Sequence, residues 1–194
     1  MEKKFQNKYR TESIRLINWD YRSNADYFVT ICTKDKKCFF GEIEMHANTK
    51  QKTMKLSKIG KFAHEFWMEI PDHFPFVQLD AFVVMPNHIH GIITINQPRD
   101  VACNISSGNI ISDDIPSGKN EKMAKISPKK GSLSSVIRSY KSAVTKQVRQ
   151  IDTNFSWQSL YHDHIIRNPF ALNRIRNYIN NNPDNWDIDS QYQV

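Results

Sequence analysis

The feature that most constrains the fold is a pair of strand-like runs separated by two turn-forming residues. Residues 79–85 and 88–95 are dominated by apolar and β-branched side chains, and Pro86 and Asn87 lie between them. Proline and asparagine are typical of tight turns, and a connection this short joins neighbouring antiparallel strands. The pattern therefore predicts a β-hairpin near the middle of the chain, and with it an antiparallel sheet.

Three segments have the apolar spacing of helices. Residues 56–70 form the first, and the proline that follows ends its pattern. A second stripe begins after Ser132, a residue type that favours helix N-caps. Asn168 can cap a third helix, with Pro169 at its first position and Pro183 at its end. The second stripe comprises Leu133, Val136, Ile137, Tyr140, Val144, Gln147 and Val148, so we expect Tyr140 to pack in the core.

Two further segments, residues 27–32 and 155–166, can form strands, the first because it is rich in β-branched and aromatic residues. The order of elements is then β-α-β-β-α-β-α. This order favours an α+β domain with a ferredoxin-like antiparallel sheet whose helices cover one face. A length of 194 residues favours a single domain over residues 1–194.

One segment, residues 97–131, has no apolar period. It contains three prolines and three glycines among many serines, asparagines and aspartates. Such a composition is typical of an irregular connection. We therefore predict a flexible insertion between two ordered parts of the domain.

Composition limits the class of protein. Cys32, Cys38 and Cys103 are odd in number and form no Cys-x-x-Cys pair, so neither a disulfide framework nor a thiolate zinc site is indicated. No run approaches the ~18 apolar residues of a membrane span, and the charged start, Met1-Glu-Lys-Lys, lacks the apolar run of a signal peptide. We therefore expect a soluble cytoplasmic protein without a membrane partner.

Positive charge is concentrated between residues 121 and 150. This stretch has eight lysines and arginines against one acidic residue, Glu121, which equals the +7 net charge of the whole chain. A block of this kind is typical of proteins that bind nucleic acid, although a solvated helix face with a basic tail would also produce it. The candidate DNA-binding residues are Lys129, Lys130, Arg138, Lys141 and Arg149.

The sharpest local motif is the His-x-His pair at the start of the run 88–95. Side chains alternate along a strand, so His88 and His90 point to the same face, with Cα atoms about 6.6 Å apart. Two imidazoles at this separation can converge on one metal ion, although a pair of half-exposed histidines at a hairpin end is the simpler interpretation. A second pair, His162 and His164, is a rival metal site.

A tyrosine near the end of the third helix is a candidate nucleophile. Tyr178 and Asn182 are four residues apart, which places a phenol and an amide on one side of a helix. Pro183 disfavours helical geometry at Asn182, which loosens this pairing. A packing role for Tyr178 remains open on the sequence pattern alone. Trp157 and Trp186 are available for base stacking, or for burial.

Five segments together resemble the single-tyrosine HUH transposases, in particular the REP-associated tyrosine transposases and their insertion-sequence relatives. They include Val-Met-Pro-Asn-His-Ile-His-Gly at residues 84–91 and Asn-Tyr-Ile-Asn-Asn-Asn-Pro at residues 177–183. The other three are residues 27–33, 137–145 and 164–168, so the resemblance covers nearly the whole chain except 97–131.

The resemblance implies a ferredoxin-like fold and an enzyme that cleaves and rejoins single-stranded DNA with Mg²⁺ or Mn²⁺. His88 and His90 would bind the metal, and Asn182 would complete its ligands. Tyr178 would attack the scissile phosphate and form a 5′-phosphotyrosine. Single-stranded or hairpin DNA would be the partner, in the nucleoid, and the protein would act as a homodimer or as a monomer.

Two alternatives to the strand transferase stay open at this point. A regulator derived from a transposase would bind DNA through the basic helix without cutting it. A metal-dependent hydrolase would use water, and Tyr178 would then be structural. A covalent protein–DNA adduct would distinguish the transferase from both.

Overall fold

A computed structural model of the chain describes residues 16, 18–98 and 128–188. Residues 99–127, which make up most of the predicted insertion, lie outside the described residues, as does Cys103. The strands are β1 Ala25–Cys32, β2 Gly41–Met45, β3 Lys52–Leu56, β4 Val77–Val84, β5 His88–Ile95 and β6 His162–Ile166. The helices are α1 Lys58–Met68, α2 Ile70–His73, α3 Leu133–Val148 and α4 Pro169–Asn180.

The main sheet has four strands in the order β4-β5-β1-β6, and each neighbouring pair is antiparallel. In this order the two central strands belong to different β-α-β units, as in a ferredoxin-like fold. The predicted hairpin is present, since β4 and β5 pair directly and are joined through three residues, Met85, Pro86 and Asn87. The predicted α+β domain with an antiparallel sheet is therefore confirmed.

A second hairpin, formed by β2 and β3, was not predicted. Within the part of the chain that the structure describes, its strands pair only with each other, and one face is lined by ion pairs from Lys55 to Glu42 and Glu44. Both strands are short, and only Ile43, Met54 and Leu56 contribute half-buried apolar side chains. So few apolar positions do not distinguish these two strands from a polar loop in the sequence.

The helices lie on both faces of the sheet, whereas the sequence predicted one face. Helices α1 and α3 pack on the face formed by Ile89, Ile93 and Ile95 of β5 and enclose the main core. Helix α4 packs on the opposite face, where Ile175 and Ile179 cover Ile92 and Ile166. The difference arises because β5 carries Ile92 among the polar residues of its second face. This apolar side chain is removed from water when α4 packs over it.

The predicted helix starts are confirmed. Ser132 accepts a hydrogen bond from the Ser135 backbone, and Asn168 accepts one from Ala171. Tyr140 is buried as expected, and its hydroxyl donates to the Ala63 carbonyl at 2.8 Å. None of the helices in the described ranges has the length and apolar character needed to cross a membrane.

Candidate functional site

The two histidines of the first pair are brought together at the start of β5. His88 and His90 share the face of the sheet that α4 covers, because Ile89 between them points into the main core. Both imidazoles are buried, and their ring centroids are 4.4 Å apart. The alternation expected from the sequence is therefore what places them side by side.

Each imidazole is held by a polar neighbour at Nδ1. Nδ1 of His88 donates to the amide oxygen of Asn87 at 2.7 Å, and Nδ1 of His90 lies 2.8 Å from the hydroxyl of Thr30. An amide oxygen only accepts, so the proton of neutral His88 is on Nδ1 and its Nε2 carries the lone pair. Hydrogen bonds of this kind orient histidines that ligate metals through the other nitrogen.

Burial favours the neutral form of His88. It lowers the pKa of His88 to about 3, while the contact with Asn182 works in the opposite direction and the charge of Lys36 adds a smaller decrease. A neutral imidazole is the form that binds a metal.

Tyr178 lies beside this pair. Its hydroxyl is 3.2 Å from Nε2 of His90, and its ring meets Phe28 edge to face at 6.1 Å. Phe28 in turn stacks on His90 with centroids 5.3 Å apart. The side chain of Tyr178 is 43% exposed, so the phenol borders both the buried histidines and solvent.

Asn182 lies in the turn that follows α4, two residues beyond the last helical residue. It is buried, and its Oδ1 accepts no hydrogen bond within the described residues. The turn continues into Trp186, whose ring stacks on His88 at 6.0 Å. Asn182 thus reaches His88 from a turn, rather than from the helical position that the four-residue spacing suggested.

The donors gathered here fit a divalent metal ion. Two buried imidazoles and a buried amide oxygen form a set that takes cations such as Mn²⁺. Within the described residues, no three His, Cys, Asp or Glu side chains are grouped so that they could hold a metal ion, and a third ligand beside the two histidines would have to be of another type, such as the amide of Asn182. Which residues bind a metal remains a prediction.

The predicted DNA-binding residues are not part of this cluster. Arg138 and Lys141 belong to α3, which covers the opposite face of the sheet, and with Lys129 they line a cleft of about 670 Å³. Lys130 lines another cavity, of about 550 Å³. Arg149 follows α3, and its guanidinium donates to the Phe155 carbonyl.

The second histidine pair is on β6. His162 and His164 are both exposed and face the same side of the sheet as His88 and His90, but β1 separates the two pairs. The two tryptophans considered for base stacking pack within the protein. Trp186 is buried against His88, and Trp157 is half-buried with its Nε1 donating to the Lys141 carbonyl.

Sequence reasoning missed three residues that support the cluster: Asn87, Thr30 and Phe28. Asn87 could have been found, since it precedes His88 in the turn. Thr30 and Phe28 could not, because they reach His90 only through the pairing of β1 with β5.

A curated protein of Haemophilus influenzae, described as uncharacterized, is 36% identical to this chain over 188 residues, which cover 95% of the chain and 94% of that protein. No family model matches the chain. A solved structure of a REP-associated tyrosine transposase bound to a REP hairpin aligns with a TM-score of 0.52 at 18% identity, over 93% of this chain and 74% of that one. This likeness confirms, at the level of the fold, the family resemblance seen in the sequence.

Proposed function

Since the chain belongs to the family of that Haemophilus influenzae protein and has the fold of a REP-associated tyrosine transposase, we propose that it cleaves and rejoins single-stranded DNA. Tyr178 is the proposed nucleophile. The observation that carries this proposal is the 3.2 Å contact between Tyr178 Oη and His90 Nε2, made by a phenol that solvent can reach. The proposed place of action is DNA in the cytoplasm.

In the proposed reaction, Tyr178 attacks the scissile phosphorus in line with the departing oxygen. A bond forms between the phenolic oxygen and phosphorus, and the bond from phosphorus to the 3′ oxygen breaks. The phenol loses a proton to solvent and the 3′ oxygen gains one, leaving a 5′-phosphotyrosine and a free 3′-OH. Attack by another 3′-OH reverses the step and joins a different strand.

His88, His90 and Asn182 are the proposed holders of Mg²⁺ or Mn²⁺, which when bound supplies positive charge that stabilises the transition-state phosphate. Thr30 and Asn87 hold the two imidazoles through Nδ1. Phe28 limits the orientations of the Tyr178 ring, because it meets that ring edge to face. Geometry held in advance in this way lowers the entropic cost of reaching the transition state.

The test is an assay for a covalent adduct on a denaturing gel. Wild type, Tyr178→Phe and the control Tyr140→Phe are incubated with Mn²⁺ and labelled single-stranded oligonucleotides that carry hairpins, including sequences adjacent to the protein's own gene. We expect an adduct that chelation abolishes and that only Tyr178→Phe lacks. Tyr140 is a suitable control because its hydroxyl is buried in the core.

Other outcomes would contradict the proposal in distinct ways. Loss of the adduct in Tyr140→Phe alone would refute Tyr178 as the nucleophile. Cleaved DNA without an adduct would indicate a hydrolase that uses water. Salt-sensitive DNA binding without cleavage would indicate a regulator.

A further inference from the structure

Among the described residues, none covers one corner of the sheet on the α4 side, which is formed by His162 and His164. Helix α4 buries Ile166 at the end of β6, but His162 and His164 on the same strand are exposed. Exposed imidazoles there are not explained by packing. They offer aromatic faces and N–H donors to solvent, next to the candidate site.

The register of the strands places this corner near the phenol of Tyr178. His162 pairs with Thr30 and His164 pairs with Phe28, and both partners contact His90. Two strand spacings separate β6 from β5, so the backbones of His162 and His90 are about 9.5 Å apart. The corner therefore adjoins the part of the sheet, around His90 and Phe28, that Tyr178 contacts.

A stripe on α4 borders the corner. Phe170, Arg174 and Tyr178 are four residues apart and so lie on one side of the helix. Phe170 is 80% exposed, and Arg174 is exposed with no hydrogen bond or ion pair to another described residue. An exposed aromatic ring and an exposed guanidinium thus lie on the same side of α4 as the phenol of Tyr178.

The corner is adjacent, across the edge of the sheet, to the cleft lined by Lys129, Arg138 and Lys141, which we call the basic cleft. Tyr161 lines that cleft together with Lys129, Arg138 and Lys141, and the next residue, His162, already faces the α4 side. The edge strand β6 therefore lies between the basic cleft on one face of the sheet and Tyr178 on the other face. The cleft and the candidate site, which lie on opposite faces, are joined by this edge.

We propose that single-stranded DNA crosses the β6 edge, running from the Lys129–Arg138–Lys141 cleft over His162 and His164 to Tyr178, with Phe170 and Arg174 along its path. The proposal rests on the proposed function and adds to it the route of the strand. Exposed aromatic rings beside cations are the elements that hold single strands without sequence preference, since every base has a stacking face. Lysine and arginine contribute by neutralising phosphates.

The experiment measures binding of a fluorescein-labelled oligothymidylate by fluorescence anisotropy at several salt concentrations. All variants carry Tyr178→Phe, so that no cleavage occurs. We expect Phe170→Ala, and His162→Ala with His164→Ala, each to weaken binding about tenfold. Arg174→Gln should lower the slope of log affinity against log salt by about 0.7, the value for one phosphate contact on a single strand.

Two variants elsewhere serve as matched controls. Met45→Ala removes a large exposed side chain from the β2–β3 hairpin, and Lys61→Gln removes an exposed charge from α1. Both should bind as the parent does. Because Phe170, Arg174 and the two histidines are exposed, their replacement should leave the melting temperature unchanged.

Unchanged affinity and salt slope in the corner variants would overturn the proposed route, as would a parent that fails to bind the oligothymidylate. The adduct assay is read separately in proteins that retain Tyr178. An adduct formed equally by wild type and corner variants would leave the proposed function standing and refute the route. Corner-dependent binding without any adduct would support the route and refute strand transfer.

Discussion

Tyr178 Oη lies 3.2 Å from His90 Nε2, although the two residues are 88 positions apart in the sequence. The contact depends on α4 crossing the face of the sheet that carries the histidines. Ile175 and Ile179 of α4 hold this position by packing on Ile92 and Ile166. The small apolar cluster beneath α4 thus determines where the phenol lies.

Thr30 is expected to support metal binding through His90. Thr30→Val removes the hydroxyl that lies 2.8 Å from Nδ1 of His90 and leaves the ring free to turn. Loss of such a partner typically weakens metal affinity 10–100-fold. Calorimetric titration with Mn²⁺ should show a decrease in this range.

The matched control for that prediction is Thr94→Val on β5. Thr94 also uses its hydroxyl in a hydrogen bond, to Asp26, but away from the two histidines. Equal Mn²⁺ affinities in Thr30→Val and Thr94→Val would show that Thr30 does not act through His90.

The ion pair between Arg176 and Asp80 should make stability sensitive to acid. The Arg176 guanidinium holds the pKa of Asp80 below its usual value, and the pair joins α4 to the irregular part of β4. A carboxyl with a lowered pKa stabilises the fold above its unfolded pKa, and this stabilisation is lost as the pH falls through the lowered value. Denaturant unfolding of Asp80→Asn should lack that part of the acid dependence.

Asp72→Asn is the control, because Asp72 is exposed on α2. This variant should follow wild type through the acid range. If Asp80→Asn and wild type lost stability in parallel, the ion pair would not contribute to the stability of the fold.

Gly91 should not tolerate a side chain. A Cβ at this position would lie 2.3 Å from Cζ2 of the buried Trp67. Gly91→Ala therefore forces the indole to move, and overpacking of this kind costs about 1–3 kcal/mol. The free energy of unfolding should fall by that amount, and the tryptophan emission should change. An unchanged free energy of unfolding would mean that the core around Trp67 accommodates the added methyl group without cost.

Lys141 should make DNA binding depend on pH. Burial lowers the pKa of Lys141 to about 8, whereas an exposed lysine stays charged to much higher pH. As the pH rises through 8, the ammonium loses its charge and its attraction to phosphate. Oligothymidylate affinity of wild type should therefore fall across that range.

Lys141→Arg keeps its charge at every pH in this range, because arginine is not deprotonated in proteins. Its affinity should change less than that of wild type between the two sides of pH 8. Identical pH profiles would exclude Lys141 as the source of the dependence.

Much of the local structure could be predicted because it depends on neighbours in the chain. Ser132 and Asn168 cap their helices through backbone groups three residues away. His88 and His90 share a face because side chains alternate along any strand. The β2–β3 hairpin escaped prediction because its apolar pattern is short and interrupted by charges.

By itself, the sequence determined the helix starts, the central hairpin and the pairing of the two histidines on one face, since each follows from spacings of a few residues. Only the tertiary structure decided that α4 covers the second face, that Thr30 reaches His90, and that His162 lies on the same side as Tyr178. The physical reason is that strand register and helix docking are set by contacts between segments far apart in the chain, where a shift of one residue would turn every side chain to the other face.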